Sequence, residues 1–138
     1  MRYLSAITML ILALAITQPV EAQSFKPDFF KGWDAYVKGD FATALKHFRP
    51  LAKQGQISAQ NFLGLMYRDG NGVLQDLVMG YVWNNVAATS FAPEHKDLAS
   101  KPRDEIYARL TATERRLAVR LSKLCLKKPA KCPEYSDD

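Results

Sequence analysis

Residues 62–76 read FLGLMYRDGNGVLQD, with Gly64, Gly70 and Gly72 grouped around Tyr67. Such a cluster can cradle a phosphate, end a helix, or let two helices touch. The phosphate reading fails on specifics. The G-N-G at 70–72 has no third glycine at dinucleotide-binding spacing and no Lys-Ser/Thr after it, and the residues before it have helical rather than strand periodicity. The helical reading accounts for all three glycines. Gly64 lies one helical face from Tyr67 and allows a neighbouring helix to approach, Gly70 ends the helix, and Gly72 turns the chain back.

Working outward, strand signals are nearly absent and helical periodicity runs almost everywhere after Pro27. Helices are expected at 29–38, closed by Gly39; at 41–54, capped by Asp40 and stopped by Gly55; at 57–69, with Ser58 near the start; and at 77–90, capped by Asp76. Pro93 and Pro102 punctuate a shorter fifth region between 93 and 109. The sixth helix opens on Thr111-Ala-Thr-Glu114, a capping box in which Thr oxygen and Glu carboxylate satisfy each other's orphan amides. Its apolar face is read as Leu117, Leu121 and Leu124, with Arg116, Arg120, Lys123 and Lys127 on another stripe and Pro129 ending it.

Short helices joined by tight turns suggest a repeat. Tyr36-Val-Lys-Gly39 matches Tyr67-Arg-Asp-Gly70 at an offset of 31, and Ala44, Ala52 and Gly55 match Gly80, Ala88 and Phe91 at an offset of 36. The difference falls in the turn, where NGVLQ lengthens the second unit.

These residues resemble the Sel1-like repeats, relatives of the tetratricopeptide repeats, whose unit has the form A-x₃-L-G-x-x-Y-x-x-G-x-G-V followed by D-x₃-A-x₂-W-x₃-A-A. The chain has Ala59, Leu63, Gly64, Tyr67, Gly70, Gly72 and Val73, then Asp76, Trp83, Ala87 and Ala88. It departs from the pattern at Gly80, where Ala is usual and Gly weakens a helix by about 1 kcal/mol, and at Phe91, where a turn glycine is usual. The stretch GWDAYVKGDFATALKHFRPLAKQG resembles a tetratricopeptide-type half-repeat, and PRDEIYARLTATERRLAVRLSKLC resembles the closing helices of small exported members with a paired C-terminal cysteine. The resemblance covers about residues 29 to 132. It implies an all-α protein, a short α-solenoid of about six helices in antiparallel pairs, whose business is binding other proteins. The family hosts adaptors, assembly factors and, among exported bacterial members, regulators of envelope signalling, so the resemblance implies an adaptor or regulator in the cell envelope.

The N-terminal stretch MRYLSAITMLILALAITQPVEA has the charged start, apolar run and small-residue site of a secretory signal peptide, with cleavage expected after Ala22. An uncleaved anchor is the alternative, but the apolar run falls short of the roughly 20 residues a span requires. The organisation expected is a signal peptide at 1–22, a linker at 23–28, the helical repeat domain at 29–128 and a tethered tail at 129–138. No second apolar stretch approaches membrane-spanning length, so no stable membrane insertion is expected once the signal is cleaved. A periplasmic or secreted chain with only Cys125 and Cys132 has one possible intramolecular disulfide.

Net charge is +5, and the excess is localised: Lys96 to Lys131 contains 11 Lys or Arg against Asp97, Asp104, Glu105 and Glu114. That end can meet an acidic protein, anionic lipid or wall polymer, or serve only as a solvated face. Nucleic acid is not expected as a partner, because the chain is read as leaving the cytoplasm.

Catalytic material is thin. His47 stands beside Phe48 and aligns with Trp83, which points to packing or surface; His95 lies in a proline-punctuated loop. No serine stands three before a lysine, and Asp104 and Glu105 fall on different helix faces. Trp33, Tyr36, Phe41, Phe48, Tyr67 and Trp83 recur at repeat positions, where large rings fill gaps between stacked helices. Candidates for partner binding are the stripe Asn61, Leu65 and Arg68, then Asn84 and Asn85, and the basic Arg116, Arg120 and Lys123. The expectation is a monomeric protein- or peptide-binding module, with an acidic partner suggested by the basic end, and without catalysis, cofactor or metal. Two alternatives stay open: an immunity or inhibitor protein against an envelope-targeted toxin, and an envelope hydrolase or ligand-binding enzyme.

Overall fold

The computed structural model describes residues 26–133, so the expected signal peptide and the last residues of the tail lie outside the described part. Six α-helices follow in order: α1 Phe29–Val37, α2 Phe41–Lys53, α3 Ile57–Asp69, α4 Leu77–Ser90, α5 Asp97–Arg109 and α6 Ala112–Lys127. Short 3-10 turns precede α5 at Pro93–His95 and follow α6 at Pro129–Lys131. The fold is all-α and repeat-like, with α1 to α5 each packed against the next helix in sequence and α6 packed on α4.

Local chemistry sets the boundaries. Asp28, Asp40 and Asp76 each accept the backbone N–H three residues on, at 3.1, 3.1 and 2.9 Å, and so satisfy an orphan donor at the start of α1, α2 and α4. Helix α3 is capped by Gln56, whose side chain accepts the Ala59 N–H, with Ser58 in the first turn as expected. Gly70 ends α3 with φ +71°, a left-handed cap that costs a side-chain-bearing residue about 1 kcal/mol. Phe91 leaves α4 in an extended conformation, so the turn glycine of the repeat pattern is not required there.

Helix α4 is the centre of the stack. It packs on α3, α5 and α6, which is why Val78, Met79, Val82, Trp83, Val86, Ala87 and Ala88 are all buried. Phe48, Leu63, Met66 and Ile106 complete the main core around Trp83.

Two expectations about the second half need correction. The fifth region is not short: α5 runs unbroken through Pro102, whose ring is buried. A proline there forfeits an intrahelical hydrogen bond, and the packing of α5 on α4 carries the helix through it. In α6 the buried face is Ala118, Ser122 and Cys125, with Leu117 and Leu121 only partly buried at its flank and Leu124 42% exposed. Small residues at i, i+4 and i+7 let α6 lie close to α4, so the bulkier leucines are displaced to the side.

Cys125 and Cys132 are joined, with their Cα atoms 4.8 Å apart. The bridge folds the turn at Pro129–Lys131 back onto α6 and brings it against α2.

Candidate functional site

The repeat residues read from the sequence are structural. Ala59, Leu63, Gly64, Tyr67 and Trp83 are buried on α3 and α4, Ala87 and Ala88 are buried in a small cluster with Ala99 of α5, and Gly72 turns the chain beneath Phe41, whose Cβ lies 2.9 Å from where a Cβ at 72 would stand. Gly80, expected only to weaken its helix, has a role of its own. A Cβ at 80 would lie 3.2 Å from both the Arg68 amide nitrogen and the Gly64 carbonyl oxygen, so the bare backbone is what lets α3 and α4 touch.

Two candidate binding residues are corrected by burial. Asn84 is fully buried, its Nδ2 donating to the Gly80 carbonyl at 2.9 Å, and it fills the space beside Gly64. Asn61 is likewise buried, so neither side chain is offered to solvent. The i, i+4, i+7 stripe is therefore reduced to Leu65 and Arg68, both half-buried, as is Asn85. Arg68 is already engaged: its Nε and Nη2 reach the Asp69 carboxylate at 2.7 and 2.8 Å, and Glu105 of α5 stands 4.0 Å away. The hydrogen bond to Asp69 holds the guanidinium still more firmly in its charged form.

A second surface was not foreseen. On α1, Phe30 is 78% exposed, Trp33 43% and Val37 64%, at i, i+3 and i+7 and so on one face. Trp33 therefore does not belong to the core. Its ring leads inward through an edge contact with Phe62 of α3 at 5.0 Å, and Phe62 in turn touches Tyr36 at 5.2 Å and Phe48 at 5.4 Å. Phe62 is the hub of these rings, and sequence reasoning passed over it beside the motif leucine, Leu63. Burial raises the Tyr36 hydroxyl above its ordinary value, with the Asp69 carboxylate adding in the same direction. The apolar row thus has a rigid aromatic base and an open outer face.

The basic stripe is where it was expected, on the side of α6 opposite Ala118, Ser122 and Cys125. Arg116, Arg120, Lys123 and Lys127 are all exposed. Beside them is an open groove of about 370 Å³, lined by Tyr107 of α5 and by Arg115, Arg116, Val119, Arg120 and Lys123 of α6. Arg115 is fixed in it, with Nε donating to the Tyr107 carbonyl at 3.1 Å and the guanidinium 4.8 Å above the Tyr107 ring.

The histidines do not assemble a catalytic pair. Buried His47 accepts the Asp28 amide on Nδ1 at 3.0 Å and ties the start of α1 to α2, while His95 is exposed. The open hollow beside His47 also includes Asp28, Asp34 and Asp40. Two of those carboxylates cap helices, and Asp34 holds Lys38 at 2.7 Å. Among the described residues no group of three or more His, Cys, Asp or Glu is placed to hold a metal ion, and no helix is long and apolar enough to cross a membrane. No protein-family model, curated protein or solved structure matches the chain.

Proposed function

We propose that this is a Sel1-like helical-repeat protein of the cell envelope, exported by its N-terminal signal, that docks another protein as an adaptor or regulator and carries out no catalysis. The observation that supports this reading is the uncovered row Phe30, Trp33 and Val37 on the first helix. In a repeat stack the terminal helices normally turn a polar face outward. Helix α6 follows that rule at one end with its Arg and Lys stripe, whereas α1 breaks it at the other. An apolar row on one helix face has the spacing that receives an amphipathic helix. Beside the row, Lys38 and Asp34 pair with each other. The occupant is therefore an amphipathic helix of a partner protein, laid along α1 as the next helix of the stack.

The test is affinity capture from envelope extract with wild-type protein and with Phe30→Glu/Trp33→Glu as baits. A partner recovered by wild type and by Arg116→Gln/Arg120→Gln, but lost from the α1 double variant, supports the reading. Equal recovery by both variants and wild type contradicts it.

A further inference from the structure

The outer face of α6 is costly for a surface that only meets water. Arg116, Arg120, Lys123 and Lys127 are stacked at helical spacing, where like charges repel. Among the described residues no ion pair relieves any of these four. The neighbouring groove has a floor of a different kind. Tyr107 and Val119 are each more than one-third exposed, yet sit between the long arms of Arg115, Arg116 and Arg120. Arg115 is held by the carbonyls of Tyr107 and Ala108 at 3.1 and 3.4 Å, and Tyr107 leans on Tyr81 with ring centroids 5.5 Å apart. The wall and floor are thus set before anything binds, which removes part of the ordering cost of association.

We infer that the α5–α6 groove is a second docking site, for an acidic amphipathic helix of another protein. Its apolar side chain lies on Tyr107 and Val119, and carboxylates one turn apart meet Arg116, Arg120 and Lys123. Each element of the groove selects for part of that ligand. The cations call for negative charge, and their i, i+4 spacing is matched by carboxylates spaced one turn apart on a partner helix. The apolar floor has no use in binding a plain polyanion. A bilayer surface is met by a broad apolar face, whereas here Tyr107 and Val119 share one groove with Arg115, Arg116, Arg120 and Lys123. The site lies on α5 and α6, away from the α1 row, and stands or falls separately from it.

The test uses the purified protein and four probes: a labelled helical peptide carrying a leucine stripe flanked by glutamates, the same peptide with glutamine for glutamate, polyglutamate, and phosphatidylglycerol vesicles. The acidic amphipathic peptide should bind, weaken as salt is raised, and weaken about tenfold or more with Arg116→Gln/Arg120→Gln/Lys123→Gln. Val119→Ser should weaken it while leaving the salt dependence unchanged. Circular dichroism confirms that both variants keep their helices, since every altered position is exposed. The inference is overturned if polyglutamate binds as tightly as the amphipathic peptide, if vesicles bind and the peptide does not, if the triple variant binds the peptide like wild type, or if the peptide does not bind at all.

Discussion

Asn84 occupies the space that a side chain at Gly64 would need. A Cβ built at position 64 would collide with Asn84 Nδ2, with Asn84 Cγ at 2.8 Å and its backbone nitrogen at 2.9 Å. Asn84 cannot easily move away, because its amide is bonded to the Gly80 carbonyl in a site with no solvent access. The α3–α4 contact at the centre of the stack therefore rests on the absence of a methyl group.

Gly64→Ala should destabilise the protein by about 1–3 kcal/mol, the usual cost of overpacking. Gly70→Ala, whose methyl meets only ordinary contacts with Gln75 and Val73 but sits on a left-handed backbone, should cost about 1 kcal/mol. Gly80→Ala is a sharper case. In an isolated helix it would gain about 1 kcal/mol, yet here the methyl presses on two backbone atoms of α3, so a net loss is expected. Urea denaturation of the three variants measures all of this, and a stabilised Gly80→Ala would contradict the close contact.

The helix boundaries were legible because the chain marks them chemically, with Asp40, Asp76 and Thr111 opening helices and Gly39, Gly55 and Gly70 closing them. What escaped was anything set by the neighbour rather than by the helix itself. Asn84 reads as a surface residue until Gly64 provides a place to bury it. The buried face of α6 was missed because Ala118, Ser122 and Cys125 are small, and hydrophobic periodicity gives most weight to leucines. Pro102 reads as a stop, since local pattern does not include the support of α4. The candidate sites were legible to the same degree: the basic stripe follows from spacing alone, but a repeat pattern does not say which helix face is left uncovered, and so the α1 row appeared only in three dimensions.

The bridge between Cys125 and Cys132 closes a short loop that ties the last turn to α6. Unreduced, denatured protein should show no free thiol. Cys132→Ser should lower stability by about 2–3 kcal/mol, through the loop entropy returned to the unfolded chain. Far-ultraviolet circular dichroism should change little, because the six helices precede the bridge's second cysteine.

The capping box gives stability a dependence on pH. Glu114 accepts both the Thr111 hydroxyl and the Thr111 amide, at 2.7 and 2.8 Å, and these bonds hold its carboxyl below the ordinary value of 4.5. A carboxyl that is more acidic when folded stabilises only while ionised. Its contribution is present above the ordinary value and is lost as pH falls through the lower, folded one. Thermal unfolding from about pH 7 to about pH 3 should show wild type exceeding Glu114→Gln at neutral pH, with the gap closing in acid. A gap that widened on acidification would reverse the assigned direction.

The claim that matters most is that α1 receives a partner's helix along Phe30, Trp33 and Val37. It is tested most directly by photo-crosslinking in living cells from a benzophenone amino acid placed at Val37, with Lys101 on α5 as the control position. The account predicts one discrete crosslinked protein from position 37, absent from position 101 and lost when Trp33→Glu is introduced alongside. No product from position 37, or the same product persisting with Trp33→Glu, would contradict it.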